Sequence, residues 1–177
     1  PNFLESKSLQ NDDYWIPMGG QGNIGIKGFD IIADVYPLHN YSHIICAVGT
    51  GTMMAGLLNI AKPYQHIIGI VAHNEVHPVN LFLEEIVIKH SIKASYSLLD
   101  NYHEGGFAKK SPELIQTMIE AWNTYRIPFD FVYTAKLWKG FQDLLENNFF
   151  SPNNTILLIH SGGLQGNLSL SKDTLPF

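Results

Sequence analysis

Short apolar runs alternate with amphipathic stretches along most of the 177-residue chain. The runs are rich in β-branched residues and about four to eight residues long, which is typical of strands buried on both faces of a parallel sheet. Five of them predict strands at Ser42–Val48, His66–Ala72, Ala94–Leu99, Phe129–Tyr133 and Thr155–His160.

Apolar residues at helical spacing predict helices between these strands. The predicted helices are Asn23–Tyr36, Met53–Ala61, Pro78–His90, Pro112–Arg126 and Lys136–Asn147. The fourth has the clearest beginning, because Ser111 is a good N-cap and proline is favoured at the first helical position. Near the beginning of the chain, Tyr14–Ile16 predicts a short strand that Pro17 ends.

This alternation of strand and helix with short connections predicts an α/β fold with a doubly wound, mostly parallel sheet. The length fits a single domain over residues 1–177. In such sheets, ligands bind at the carboxyl ends of the strands. Candidate chemistry is therefore expected directly after each predicted strand.

Composition narrows the class of protein. The chain is 45% hydrophobic and 15% charged, as expected of a globular domain. The net charge of -5 and the 11 scattered Lys and Arg residues exclude the usual footprint of a nucleic-acid-binding protein. No apolar run reaches the roughly 20 residues that span a bilayer, and no membrane partner is expected.

The lone cysteine and the first residue bear on cellular context. Cys46 lies inside an apolar run, so we expect a buried thiol and no internal disulfide. This favours a cytoplasmic protein. The chain starts at Pro1 and not at methionine, so we expect that the natural N-terminus is missing.

The loop Gly49–Thr52, between a predicted strand and a predicted helix, has the chemistry of a phosphate cradle. Glycines let the backbone approach a ligand, the helix N-terminus carries partial positive charge, and the hydroxyls of Thr50 and Thr52 can donate hydrogen bonds. An ordinary tight turn needs fewer glycines and threonines. A dinucleotide-binding loop is excluded because Met54 stands where the third glycine is required.

Three further segments lie where the predicted sheet would bind a ligand: Asp100–Gly106, Phe131–Thr134 and His160–Leu164. Each could be an ordinary turn, or all could converge on one site. His73 and His77 are four residues apart, but no glutamate follows the first and a proline follows the second. We therefore expect no zinc motif and no metal site.

In combination, these motifs resemble the large domain of the fold-type II pyridoxal-phosphate enzymes. The similarity rests on Gly49–Gly56, Tyr102–Gly106, Val132–Thr134 and Ile159–Gly166. The segment Ile16–Gly20, with Gly25 further on, is similar to the 1-aminocyclopropane-1-carboxylate deaminase/D-cysteine desulfhydrase family. The resemblance covers nearly the whole chain. It implies the C-terminal portion of a longer enzyme, with the large-domain part of the tryptophan-synthase-β-like fold.

The resemblance also implies roles for particular residues. The phosphate of pyridoxal 5′-phosphate would be held by Gly49, Thr50, Gly51 and Thr52. Tyr133 would lie beside the cofactor ring and contact substrate, and Tyr102 would be a second active-site tyrosine. Thr134 stands where a residue bonds the pyridine nitrogen.

That last position bears on the reaction. The family's deaminases are expected to carry glutamate there, whereas the neutral hydroxyl of Thr134 can only share a hydrogen bond. A weaker electron sink favours β-elimination over opening of a cyclopropane ring. The resemblance thus implies a D-cysteine-like substrate that yields pyruvate, ammonia and sulfide.

Two parts of the family's pattern do not occur in the chain: the Schiff-base lysine, in a motif ending in glycine-asparagine-lysine, and a serine loop that grips the substrate carboxylate. We therefore expect the chain alone to be inactive. Two alternatives stay open: a non-catalytic small-molecule-binding domain that keeps the phosphate cradle, and another fold-type II enzyme such as a cysteine synthase or a serine/threonine dehydratase. The resemblance further implies a homodimer.

Overall fold

The computed structural model describes residues 15–177 and contains a parallel sheet of four strands. The strands are β1 (His43–Val48), β2 (His66–Val71), β3 (Ser95–Leu99) and β4 (Ile156–Leu158). Their order is β3-β2-β1-β4, and each pairs in parallel with its neighbours. The predicted α/β fold with a parallel sheet is confirmed.

Six α-helices accompany the sheet in this part of the chain. They are α1 (Asn23–Lys27), α2 (Asp30–Val35), α3 (Thr52–Ile60), α4 (Val76–Lys89), α5 (Pro112–Tyr125) and α6 (Thr134–Glu146). The last four lie close to their predicted positions. The Ser111 hydroxyl caps α5 by accepting a hydrogen bond from the Leu114 N–H at 3.1 Å. None of the helices in residues 15–177 is long and apolar enough to cross a bilayer.

Side chains of β1 alternate between two helical layers. Ile44, Cys46 and Val48 pack in one buried cluster with α3 and α4, while Ile45 and Ala47 pack in another with α6. The sheet is thus covered on both faces, as the term doubly wound requires. Burial of both faces also explains why β1 is a continuous apolar run and not an alternating one.

The predicted strand at Phe129–Tyr133 is wrong: this segment is irregular and turns directly into α6. The Asp130 carboxylate accepts hydrogen bonds at 2.9–3.1 Å from three successive backbone N–H groups, those of Val132, Tyr133 and Thr134. The Asn167 side chain bonds the backbone on both sides of Asp130. Side chains therefore satisfy the groups that a neighbouring strand would bond.

Three smaller predictions also need correction. The helix expected at Asn23–Tyr36 is divided into α1 and α2, and β4 is shorter than Thr155–His160. Phe29, between α1 and α2, packs so closely on α3 that a Cβ at Gly56 would lie 2.6 Å from it. In the strand expected at Tyr14–Ile16, the last two residues are not in a strand, and Tyr14 lies outside the described residues.

Candidate functional site

A cavity of about 680 Å³ lies at the carboxyl ends of β1, β2 and β4. Its walls include the segments that follow these strands: Gly49–Thr52 after β1, His73–Glu75 after β2 and Ser161 after β4. The chain leaves β1 towards β2 and returns much later to β4 on the other side of β1. The cavity therefore lies at the topological switch point, where sheets of this kind bind ligands.

The loop between β1 and α3 presents hydrogen-bond donors to this cavity. Gly51 has a φ of +88°, which favours glycine and turns the chain directly into α3. The hydroxyl oxygens of Thr50 and Thr52 lie 3.0 Å apart. The first helical bond runs from the Ala55 N–H to the Gly51 carbonyl, so the N–H groups before Ala55 have no partner within the helix. These features suit an anion such as a phosphate.

Two side chains that the sequence analysis did not assign bond the backbone of this loop. The Gln21 amide donates to the Thr50 carbonyl at 3.1 Å, and His73 Nε2 donates to the Gly49 carbonyl at 2.9 Å. His73 Nδ1 accepts from the Glu75 N–H at 3.1 Å, which leaves the ring hydrogen on Nε2. Both ring nitrogens of His73 therefore bond backbone groups.

The segment that carried the family resemblance near the start of the chain lies over the same loop. Gly19 has a φ of +65°, and any side chain there would collide with the Thr50 side chain. Met18, Gly19 and Gln21 line the cavity. Glycine at position 19 thus permits close contact with the loop after β1.

Tyr133 forms another wall. A Cβ at Gly49 would lie 3.1 Å from the tyrosine ring, and the Phe107 ring packs edge-on against the same ring at 5.8 Å. Burial, with the nearby charge of Asp130, raises the pKa of the Tyr133 phenol. The hydroxyl is therefore protonated at neutral pH and can act as a donor.

Two residues from the sequence analysis are not brought into the cavity. Thr134 is fully buried, and its hydroxyl accepts from the Asp130 N–H at 2.8 Å. Tyr102 donates to the Asp143 carboxylate of α6, and burial together with this bond raises the pKa of Tyr102 to about 12. Neither lines the cavity. The roles that the resemblance implies for them stay predictions.

In the segment His160–Leu164, which follows β4, Ser161 contributes to the cavity wall. His160 Nε2 donates to the Pro128 carbonyl at 2.8 Å, and Nδ1 accepts from the Gly162 N–H at 3.1 Å. Ser161 lines the cavity, whereas His160 does not. His160 therefore shapes the turn that places Ser161. Among residues 15–177, no cluster of three or more His, Cys, Asp or Glu side chains is arranged to hold a metal ion.

The sheet order, with a donor-rich loop at its switch point, is that of a doubly wound α/β domain. No protein-family model matches the chain. Two curated relatives, from Thermotoga maritima and Pyrococcus furiosus, are each named "Putative 1-aminocyclopropane-1-carboxylate deaminase". Both are 27% identical to the chain, over 90% and 98% of its length and 54% and 56% of their own.

A solved structure agrees. A crystal structure described as "the ACC deaminase homologue" matches with a TM-score of 0.69 and 26% identity, over 86% of this chain and 50% of that one. The chain thus spans about half the length of the proteins it matches. The family resemblance is confirmed: the chain is related to the 1-aminocyclopropane-1-carboxylate deaminase family.

Proposed function

We propose that the chain forms the phosphate-binding part of a pyridoxal-phosphate-dependent deaminase. The observation that carries this proposal is the loop Gly49–Thr52, where two hydroxyls and the free N–H groups of α3 meet a cavity at the switch point. The cavity, of about 680 Å³, is of a size typical for small-ligand sites. The residues present therefore fit a phosphate-bearing cofactor.

In this proposal the chain binds and orients the cofactor. When bound, pyridoxal phosphate withdraws electrons from the α-carbon of an amino acid and eases loss of its proton. Thr50 and Thr52 would donate to the phosphate, while Gln21 and His73 hold their loop in place. Tyr133 lies on the wall beside this loop, where its protonated hydroxyl can donate to a substrate group.

Within this class we propose a D-cysteine-like substrate, which with water yields pyruvate, ammonia and hydrogen sulfide. The support comes from the sequence: Thr134, whose buried hydroxyl does not line the cavity, stands at the position where the family's deaminases are expected to carry glutamate. The names of the two relatives favour the other candidate, deamination of 1-aminocyclopropane-1-carboxylate. Sulfide release from D-cysteine, assayed on the full product of the gene, supports the first candidate. If ammonia is released only from 1-aminocyclopropane-1-carboxylate, the first candidate is rejected in favour of the second.

We also propose that this chain alone does not turn over substrate. No lysine is among the described residues that line the cavity, and the family's glycine-asparagine-lysine motif is absent from the sequence. The chain would then hold the cofactor without a covalent bond. When unbound pyridoxal phosphate is removed before borohydride is added, so that imines on exposed lysines are hydrolysed, the intact mass should stay at 19.9 kDa. A stable adduct within the chain would contradict this.

Calorimetric titration with pyridoxal phosphate, pyridoxal and inorganic phosphate tests the phosphate site. We expect the doubly substituted Thr50→Val, Thr52→Val chain to bind both phosphate ligands about tenfold more weakly or worse, because their oxygens lose two donors. Binding of pyridoxal should change little. Thr124→Val, on the exposed surface of α5, is the control. Equal phosphate affinity in the double variant would refute the site.

A further inference from the structure

Lys136, in the first turn of α6, is fully buried, which is rare for a lysine. Its Nζ donates to three backbone carbonyls, each at 2.9 Å: those of Ala72, His103 and Gly106. The three N–H donors of an ammonium group thus meet three acceptors. The buried charge is fully hydrogen-bonded, as a stable buried charge must be.

These carbonyls belong to segments next to the cavity. Ala72 directly precedes His73–Glu75, which follows β2. Gly106 directly precedes Phe107, whose ring packs against Tyr133. Tyr133 itself lies one turn before Lys136, at the start of α6. A single ammonium group therefore connects three walls of the cavity.

The charge state supports this arrangement. Burial lowers the pKa of Lys136 to about 8, while the negative charges of Glu104 and Asp130 act to raise it. The ammonium form therefore predominates at neutral pH. The Glu104 carboxylate also accepts a hydrogen bond from Lys139, which lies on α6 like Lys136. This bond adds a second link between α6 and residues 103–107. A neutral amine has two N–H donors and would leave one of the three carbonyls without its partner.

We propose that Lys136 is a positioning residue that holds residues 103–107 and 73–75 against the start of α6. It thereby sets the position of the cavity wall formed by Phe107 and Tyr133. Lys136 does not line the cavity, so it acts on a ligand through Phe107 and Tyr133. Only the measurement of ligand affinity rests on the proposed function. The positions of the walls can be tested without any ligand.

Lys136→Met keeps most of the side-chain length and removes the donors. We expect amide hydrogen exchange at residues 103–107 and 73–75 to become about tenfold faster or more, because buried carbonyls lose their partners. Affinity for pyridoxal phosphate should fall at least about fivefold, while affinity for inorganic phosphate stays unchanged. The control is Lys89→Met at the end of α4, which should change none of these quantities.

The two ligands separate local positioning from general stability. Faster exchange spread evenly over all elements, or equal loss of affinity for both ligands, would overturn the proposal, since Lys136 would then only stabilise the fold. If the unsubstituted chain bound neither ligand, the proposed function would fail, whereas hydrogen exchange would still decide the role of Lys136.

A rescue experiment tests the donor role of Lys136 directly. Added ammonium chloride, and not tetramethylammonium chloride, should restore slow exchange in Lys136→Ala, because ammonium ions can donate to the three carbonyls that have lost their partner.

If Lys136→Met does not fold, the proposal can be tested by NMR on the unsubstituted chain. A buried, fully bonded ammonium group exchanges its protons slowly with water. We expect a nitrogen-15 NMR signal for the Lys136 side chain at neutral pH, under conditions where the exposed lysines give none. Absence of this protected signal would overturn the proposal.

Discussion

The ring of Tyr133 lies directly against the backbone of Gly49. A Cβ at position 49 would be 3.1 Å from Cε1 and 3.2 Å from the hydroxyl oxygen of the tyrosine. This contact joins the start of α6 to the end of β1, so the tyrosine and the donor-rich loop share one side of the cavity. Glycine at position 49 is what permits the approach.

Gly49→Ala should lower the free energy of unfolding by about 1 kcal/mol, because Tyr133 must shift to make room for the methyl group. In a Tyr133→Ala background the ring is gone, and the loss should vanish. Urea denaturation of the four chains gives this coupling as a double-mutant cycle. An equal loss in both backgrounds would show that Tyr133 is not the obstacle.

Gly51→Ala should cost roughly 1–2 kcal/mol of stability, because a φ of +88° is unfavourable for a residue with a Cβ. It should also weaken phosphate binding, since the first turn of α3 would be displaced. Gly105→Ala is the matched control: its φ is +92° and nothing lies near its Cβ position. Thermal unfolding and phosphate titration should show comparable destabilisation in the two variants, with lost affinity at position 51 alone.

Asp130→Ala should destabilise the chain by about 1–3 kcal/mol, because backbone N–H groups at the start of α6 lose their acceptor. Asp130→Asn keeps one acceptor oxygen, so its effect should be smaller. Chemical denaturation gives both values. Tyrosine fluorescence near the cavity should change in the alanine variant as Tyr133 moves. Equal stability in the two variants would contradict the capping role of Asp130.

Much of the fold could be predicted because its signals are local. The strands β1 and β2 are apolar runs rich in β-branched residues, and Ser111 with Pro112 marks the start of α5 within two residues. The segment Phe129–Tyr133 has the same composition as a strand. Its backbone groups are instead bonded by the Asp130 carboxylate and by the side chain of Asn167, 36 residues beyond the Phe131 N–H that it bonds. No local pattern carries the Asn167 part of that information.

The residues of the candidate site likewise include some that the sequence predicts and some that it does not. Gly49–Thr52 could be found from sequence because its chemistry lies within four adjacent residues. Gln21, His73 and Lys136 could not, because each bonds backbone carbonyls of a distant segment. A carbonyl is present at every residue, so the sequence does not mark which one is the partner. In the sequence, His73 is marked only by its spacing from His77.

His43 and His66 should make stability depend on pH. They lie opposite each other on β1 and β2, with ring centroids 5.8 Å apart. Burial lowers the pKa of both, and the charge of His43 lowers that of His66 further. The folded chain thus binds fewer protons than the unfolded chain just below the ordinary histidine pKa of 6.5. The contribution of this pair to stability should therefore fall as the pH drops through about 6.5 and stay level above it.

Urea midpoints measured across this pH range test the expectation. His66→Asn should flatten the dependence, and His77→Asn, exposed on α4, should leave it unchanged. A slope that persists in the His66 variant would assign the effect to other groups.

The Cys46 thiol should be inert in the folded chain. It is fully buried on β1, and burial raises its pKa to about 12, so almost no thiolate exists at neutral pH. Alkylation with iodoacetamide should therefore proceed at least on the order of a thousandfold more slowly than in urea-unfolded chain. Rapid labelling under native conditions would mean that β1 opens locally, without unfolding of the whole sheet.

The strand order has a consequence for how the chain is made. β1 is synthesised well before its second neighbour, β4 (Ile156–Leu158), because β2 and β3 lie between them in the sequence. Until then, one edge of this apolar strand has no partner and could pair with another nascent chain. Sequence separation this long also slows folding. The yield of folded protein should therefore depend on chaperones and on synthesis rate more than its final stability would indicate.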